Sequence, residues 1–168
     1  MKKSIQKPFV VAALITSILG TLGHFAYGWS GNARLVGLIT AVNESTWEHM
    51  KLLFFPMLIV SLIQIFLKID EYSCLLSSLL TGNLTGTALI PVLFYTYTGI
   101  LGTNIDFINI AIYYICVIAA YFVAYKSTKT KCNGVRTNIL LFATFVLILL
   151  FFIFTYYPPK LAIFESPI

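Results

Sequence analysis

The sequence predicts an all-α, polytopic membrane bundle. It reads as one domain, residues 1–168, with about five transmembrane helices oriented N-in and C-out. Three observations predict this. Of 168 residues, 59% are hydrophobic and 10% charged, whereas a soluble domain carries about 25% charged residues. So few charges cannot clothe a water-facing surface, and lipid must replace water over most of it. Apolar runs of roughly twenty residues recur along the chain, the length that crosses a bilayer. The basic residues gather between those runs, mostly on alternate loops, as topology signals do.

The elements follow in order. The first span covers 8–27, with Pro8 tolerated in its first turn. The start, Met1-Lys2-Lys3 before an apolar run, imitates a signal peptide and is read as a retained signal-anchor helix. Trp29-Ser30-Gly31-Asn32 breaks the span. Arg34 to Val42 is apolar but too short to cross, so it reads as an interfacial or re-entrant piece. The second span, 46–67, opens on Asn43-Glu44-Ser45-Thr46-Trp47-Glu48, a rich helix-start signal. The third, 72–95, holds Gly82 and Gly86 in G-x-x-x-G spacing, which lets helices approach closely. Thr81, Asn83, Thr85 and Thr87 surround those glycines and read as hydrogen-bonding glue between helices. Pro91 is expected to kink its far end. Thr98 to Asn104 reads as a loop. The fourth span covers 106–125. A basic loop runs from Lys126 to Arg136, and the fifth span, 137–157, stops at Pro158-Pro159.

Charge sets the orientation. With Lys2, Lys3 and Lys7 inside, five spans also place Lys68, Lys126, Lys129, Lys131 and Arg136 inside. The loop 98–104 falls outside and has no Lys or Arg, as the positive-inside rule requires. Arg34, Lys51 and Lys160 land outside. Tyr27, Trp29, Trp47, Tyr95, Tyr97, Tyr156 and Tyr157 sit at predicted outer ends, where aromatic rings favour the headgroup level. The net charge of +5 is therefore topological. No basic and aromatic residues alternate on a polar segment, which argues against nucleic acid. The expected partners are membrane lipids; the sequence does not fix an oligomeric state. Cys74, Cys116 and Cys132 lack metal spacing and are read as inert thiols with no disulfide framework.

The same topology gathers polar residues at the outer face. His24 lies about one turn below the outer end of the first span. Glu44, Glu48, His49 and Lys51 lie at the outer start of the second. Glu44 and Glu48 share a face if the helix begins early enough. His24, Glu44, Glu48 and His49 are candidate ligands for a divalent metal such as zinc, which could activate water against a lipid ester or phosphate. Glu48 and His49 are the candidate catalytic pair. Lys51, Asn43 and Trp47 are the candidate substrate contacts, Lys51 for an anionic headgroup. A plainer reading competes. Ser45-Thr46-Trp47-Glu48 fits a capping box in which Glu48 reaches back to the cap, Lys51 pairs with Glu48, and Arg34 pairs with Glu44. Ionisable groups at membrane depth cost roughly 2.5–3.5 kcal/mol each on insertion scales. A cap needs one such group, not four.

The stretches His24-Phe25-Ala26-Tyr27-Gly28-Trp29-Ser30-Gly31 and Asn43-Glu44-Ser45-Thr46-Trp47-Glu48-His49-Met50-Lys51 resemble a family of small bacterial multi-pass membrane proteins of unknown function. So does the ending Thr155-Tyr156-Tyr157-Pro158-Pro159. The resemblance covers most of the chain and implies a cell-membrane location, but it brings no activity. Three functions stay open. One is an enzyme acting on a lipid or lipid-linked substrate at a polar outer-face pocket, roofed by Arg34 to Val42 and the C-terminal tail. The second is a binding or transport protein for an ion or small solute, reached through Asn83. The third is a structural subunit that uses Gly82 and Gly86 as a contact face.

Overall fold

A computed structural model describes residues 6–67, 74–131 and 133–167. Lys2, Lys3, Lys68, Cys132 and the Tyr72 start of the third expected span fall outside these. Among the described residues the chain is all-helical: α1 (Gln6–Trp29), α2 (Arg34–Gly37), α3 (Thr46–Phe66), α4 (Leu75–Leu101), α5 (Asp106–Ser127) and α6 (Gly134–Tyr156), then a 3₁₀ turn at Ala162–Phe164. Five of them, α1 and α3 to α6, are long and apolar enough to cross a membrane. At 1.5 Å per residue they run about 32–40 Å, against about 30 Å of hydrocarbon. This is the architecture of a multi-pass membrane protein.

Local chemistry sets the ends. Ser45 caps α3: its hydroxyl accepts the Glu48 N–H. Asn43 Oδ1 accepts the Ser45 N–H at 2.9 Å. Asn133 caps α6 by accepting the Val135 N–H. Asp106 places an acid in the first turn of α5, where the helix dipole favours it. The one large departure from the expected elements is α4, which continues through Thr98 to Leu101. Thr96 and Thr98 return their hydroxyls to the carbonyls of Val92 and Phe94, so these polar residues stay helical. The helix ends at Gly102, whose φ of 68° is the left-handed cap that glycine adopts without penalty. The expected interfacial piece is the single turn α2.

Helix α3 lies at the centre. Leu53, Phe54 and Met57 on it are fully buried, and α1, α4, α5 and α6 surround it. Pro56 removes the N–H that would bond Leu52 O. Tyr113 of α5 supplies a hydroxyl 3.4 Å from that carbonyl. Further α5 hydroxyls tie down α1: Tyr121 meets Thr16 at 2.7 Å and Tyr114 meets Thr21 at 3.1 Å. Gly82 and Gly86 face α5 within the chain, against Ala120, Ala124 and Cys116. Asn83 is buried and donates to Phe54 O at 3.1 Å. Cys116 is free and buried. Cys74 is disulfide-bonded, which corrects the reading of every cysteine as an inert thiol.

Candidate functional site

α3 begins at Thr46, so Glu44 lies outside the helix, two residues before its first turn. Ser45 between them is extended, with φ −67° and ψ 152°. This backbone step separates Glu44 from Glu48, which a longer helix would have stacked on one face. Two polar groups result.

In the first group Glu44 swings toward the two histidines. Its Oε2 is 3.8 Å from His24 Nε2 and 3.5 Å from His49 Nε2. The imidazole centroids are 5.3 Å apart. One ligand atom from each of His24, Glu44 and His49 lies within 4.8 Å of the others. Donors about 2.0–2.1 Å from a tetrahedral zinc sit about 3.4 Å apart, so the two carboxylate–imidazole spacings are already close to that. His49 Nδ1 lies 2.9 Å from Ser45 O, a bond it makes as the N–H donor. In the neutral imidazole that bond puts the Nε2 lone pair toward Glu44, the orientation that metal-binding histidines take from a backbone carbonyl. His24 Nδ1 is buried without a hydrogen-bond partner.

These three residues line a cavity of about 540 Å³ between α1, α3, α4 and α5, within the size range of small-molecule sites. Asn104, Asp106 and Asn109 also line it, as do Leu52, Ile90, Phe94, Ile110 and Pro167 of the tail. Asn109 Nδ2 donates to Asn104 Oδ1 at 2.8 Å. Among the described residues the lining holds two carboxylates and two imidazoles but no Lys or Arg, so its field favours a cation.

In the second group Glu48 points away from the cavity lining and into the protein. Its side chain is 2% exposed and that of Lys51 0%. Glu48 Oε2 accepts from Lys51 Nζ at 2.6 Å and from the Val42 N–H at 2.9 Å. Lys51 Nζ also donates to Gly37 O at 2.7 Å and to Thr155 Oγ1 at 2.9 Å. All three ammonium protons therefore have protein acceptors. The pair links α3 to the 37–42 segment and to α6. Glu48 thus does not reach back to the cap.

The sequence candidates therefore divide. His24, Glu44 and His49 come together; Glu48 and Lys51 form a separate buried pair. Asn43 makes the turn before α3. Trp47 packs on Phe151 and Phe164, with centroids 4.8 and 4.9 Å away. Arg34 lies over the Tyr156 ring at 5.8 Å, and among the described residues no ion pair joins it to Glu44. Phe164 and Pro167 bring the tail over this end. Sequence reasoning passed over Asn104, Asp106 and Asn109, although the expected topology puts them at the same end of the bundle as His24.

Across residues 1–168 the chain matches the model of a family of unknown function, DUF6512. The chain belongs to that family. No curated protein and no solved structure matches it. Membership agrees with the resemblance read from the sequence, at the level of a family without an assigned activity. For this family member the cavity and its His–Glu–His wall are the chemistry to explain.

Proposed function

We propose that this protein is a metal-dependent hydrolase or transferase acting on a lipid or lipid-linked substrate, with His24, Glu44 and His49 holding one divalent ion such as zinc. The observation that carries the reading is the convergence of three ligand atoms within 4.8 Å on the wall of a cavity large enough for a substrate group. Two histidines and a glutamate are a known catalytic zinc set, and three protein donors leave one position of a four-coordinate shell open. A bound ion would supply an acidified water and a Lewis acid for a carbonyl or phosphoryl oxygen. The protein's own residues do the rest. His49 is held in one tautomer by Ser45 O. Asn104 and Asn109 offer amide donors to a polar group. Leu52, Phe94 and Ile110 supply apolar wall for a chain. On this reading Glu48 and Lys51 position the ligand-bearing turn and do not touch substrate. The Asn43 to Lys51 run would then mark the family, and the site would open on the extracytoplasmic face of a bacterial cell membrane.

The transport reading is less well supported. Beneath the cluster Leu53, Phe54 and Met57 fill the interior, and the Asn83 amide is held by Phe54 O. The subunit reading loses its motive, because Gly82 and Gly86 are used inside the chain.

Elemental mass spectrometry of chelator-free, detergent-purified protein tests the proposal. Wild type should carry about one divalent ion per chain. Histidine ligands contribute enough that His49→Ala should lose it while remaining folded, and Glu48→Gln should retain it. Wild-type protein that is metal-free and takes up no added zinc would end the metal reading. If metal binds but outer-leaflet lipids in mixed micelles release neither fatty acid nor phosphate, the hydrolase reading falls and a binding role replaces it.

A further inference from the structure

A second polar site lies at the opposite end of the bundle, where α4 begins, α5 ends and α6 begins. A groove of about 330 Å³ there is lined by Thr81, Phe122, Lys126, Ser127, Thr130 and Arg136, together with Val123. Arg136 reaches across from α6. Its Nη2 donates to Thr81 Oγ1 at 3.0 Å and Ser127 Oγ at 2.9 Å, and its Nη1 to Thr130 Oγ1 at 3.3 Å. Thr81 and Thr130 give their own protons to Ser77 O and Ser127 O, each at 2.7 Å. Both hydroxyls are thereby fixed as acceptors, and the guanidinium is held in one plane. A guanidinium has five N–H donors, so two have no acceptor among the described residues.

Among the described residues no carboxylate neutralises this arrangement. Every ion pair among the described residues lies at the other end of the bundle. Arg136 is half-buried in the first turn of α6, and its hydrogen-bond partners among the described residues are all neutral. Lys126 Nζ rests 5.2 Å from the Phe122 centroid, also without a described carboxylate. A cation at such depth is costly unless an anion joins it. Above the groove, Phe122, Ile118 and Ile115 form an exposed apolar stripe on α5, 58%, 65% and 52% exposed. They are spaced to lie along one helix face.

We propose that this groove binds the headgroup phosphate of an anionic phospholipid. The two remaining N–H groups of Arg136 and the ammonium of Lys126 engage phosphate oxygens, and an acyl chain lies along the Phe122–Ile115 stripe. The shared chemistry would also suit free phosphate. The apolar stripe leading out of the groove favours the lipid. This site is independent of the metal reading.

The full chain, stripped of lipid in neutral detergent, is mixed with equimolar phosphatidylglycerol and phosphatidylcholine, and retained lipid is measured by native mass spectrometry. Wild type should prefer phosphatidylglycerol by about tenfold or more, the order that two cations near a membrane surface supply. The Lys126→Gln, Arg136→Gln double variant should fall to parity. Lys160→Gln, a cation at the other end, should keep the preference. Millimolar inorganic phosphate should not displace the lipid. Parity in wild type, an unchanged preference in a folded double variant, or displacement by inorganic phosphate would each overturn the proposal. If the double variant does not fold, Lys126→Gln alone serves, since its exposed side chain has no described hydrogen bond; an undiminished preference there overturns the proposal as well.

Discussion

Lys51 shows how far residue-level chemistry decides this protein. A fully buried ammonium is tolerable only when every proton has an acceptor, and here Glu48, Gly37 and Thr155 supply them. Removing one partner of a buried pair is far worse than replacing both, because a bare charge remains; the cost is about 3–5 kcal/mol. Glu48→Leu alone should therefore destabilise the protein by that order in detergent unfolding, and Lys51→Met should leave Glu48 similarly stranded. The double variant Glu48→Leu, Lys51→Met should recover much of the loss, although Gly37 O and the Val42 N–H lose their partners. A single variant as stable as wild type would show that the pair does not hold this end together. The sequence made this pair legible through its i, i+3 spacing, together with the helix start at Ser45. It did not reveal that Glu48 turns inward while Glu44 turns out. That depends on where the first turn of α3 closes, and a shift of a residue or two reverses which acids share a face. The same limit hid Asn104 and Asn109, whose roles depend on a tertiary neighbour.

At the scale of the element, hydropathy made all five long helices legible, because a span of about twenty apolar residues has few alternatives in lipid. Their ends were less so: threonines that read as loop formers stay in α4 by bonding the preceding turn. The G-x-x-x-G spacing also read correctly as close approach, but its partner could not be named from sequence. It is α5. A Cβ added at Gly82 would lie 2.3 Å from Ala120 O and 2.8 Å from Ala124 Cβ, whereas one at Gly99 would meet nothing within 4 Å. Both glycines are helical. Gly82→Ala should therefore force α4 and α5 apart and cost about 1–3 kcal/mol. Gly99→Ala should be neutral or stabilising by up to about 1 kcal/mol, the helix propensity gained. Thermal unfolding of the two variants side by side checks this. Equal melting temperatures would mean that the α4–α5 interface is looser than described.

For the whole molecule, two physical indicators bear on which end faces the cytoplasm, and they point opposite ways. Lys126, Lys129, Lys131 and Arg136 cluster at the end where α5 finishes and α6 starts, and the positive-inside rule puts that end in the cytoplasm. Cys74, at the start of α4 on the same end, is disulfide-bonded, and disulfides persist mainly in oxidising compartments. We give the charge bias more weight, because it rests on several residues in a short loop, the setting in which the rule works best. The proposed orientation then puts Thr103 outside and Thr128 inside. In a cysteine-free background, Thr103→Cys should react with a membrane-impermeant maleimide on intact cells, and Thr128→Cys only after permeabilisation. The reverse pattern would turn the molecule over. The His24–Glu44–His49 cavity would then open to the cytoplasm, where free zinc is scarce and substrates differ, and the disulfide at Cys74 would lie where disulfides are stable. Labelling therefore decides which leaflet's lipids are tested as substrate for the cavity and which as ligand for the Arg136 groove, since the two sites stand at opposite ends of the same bundle.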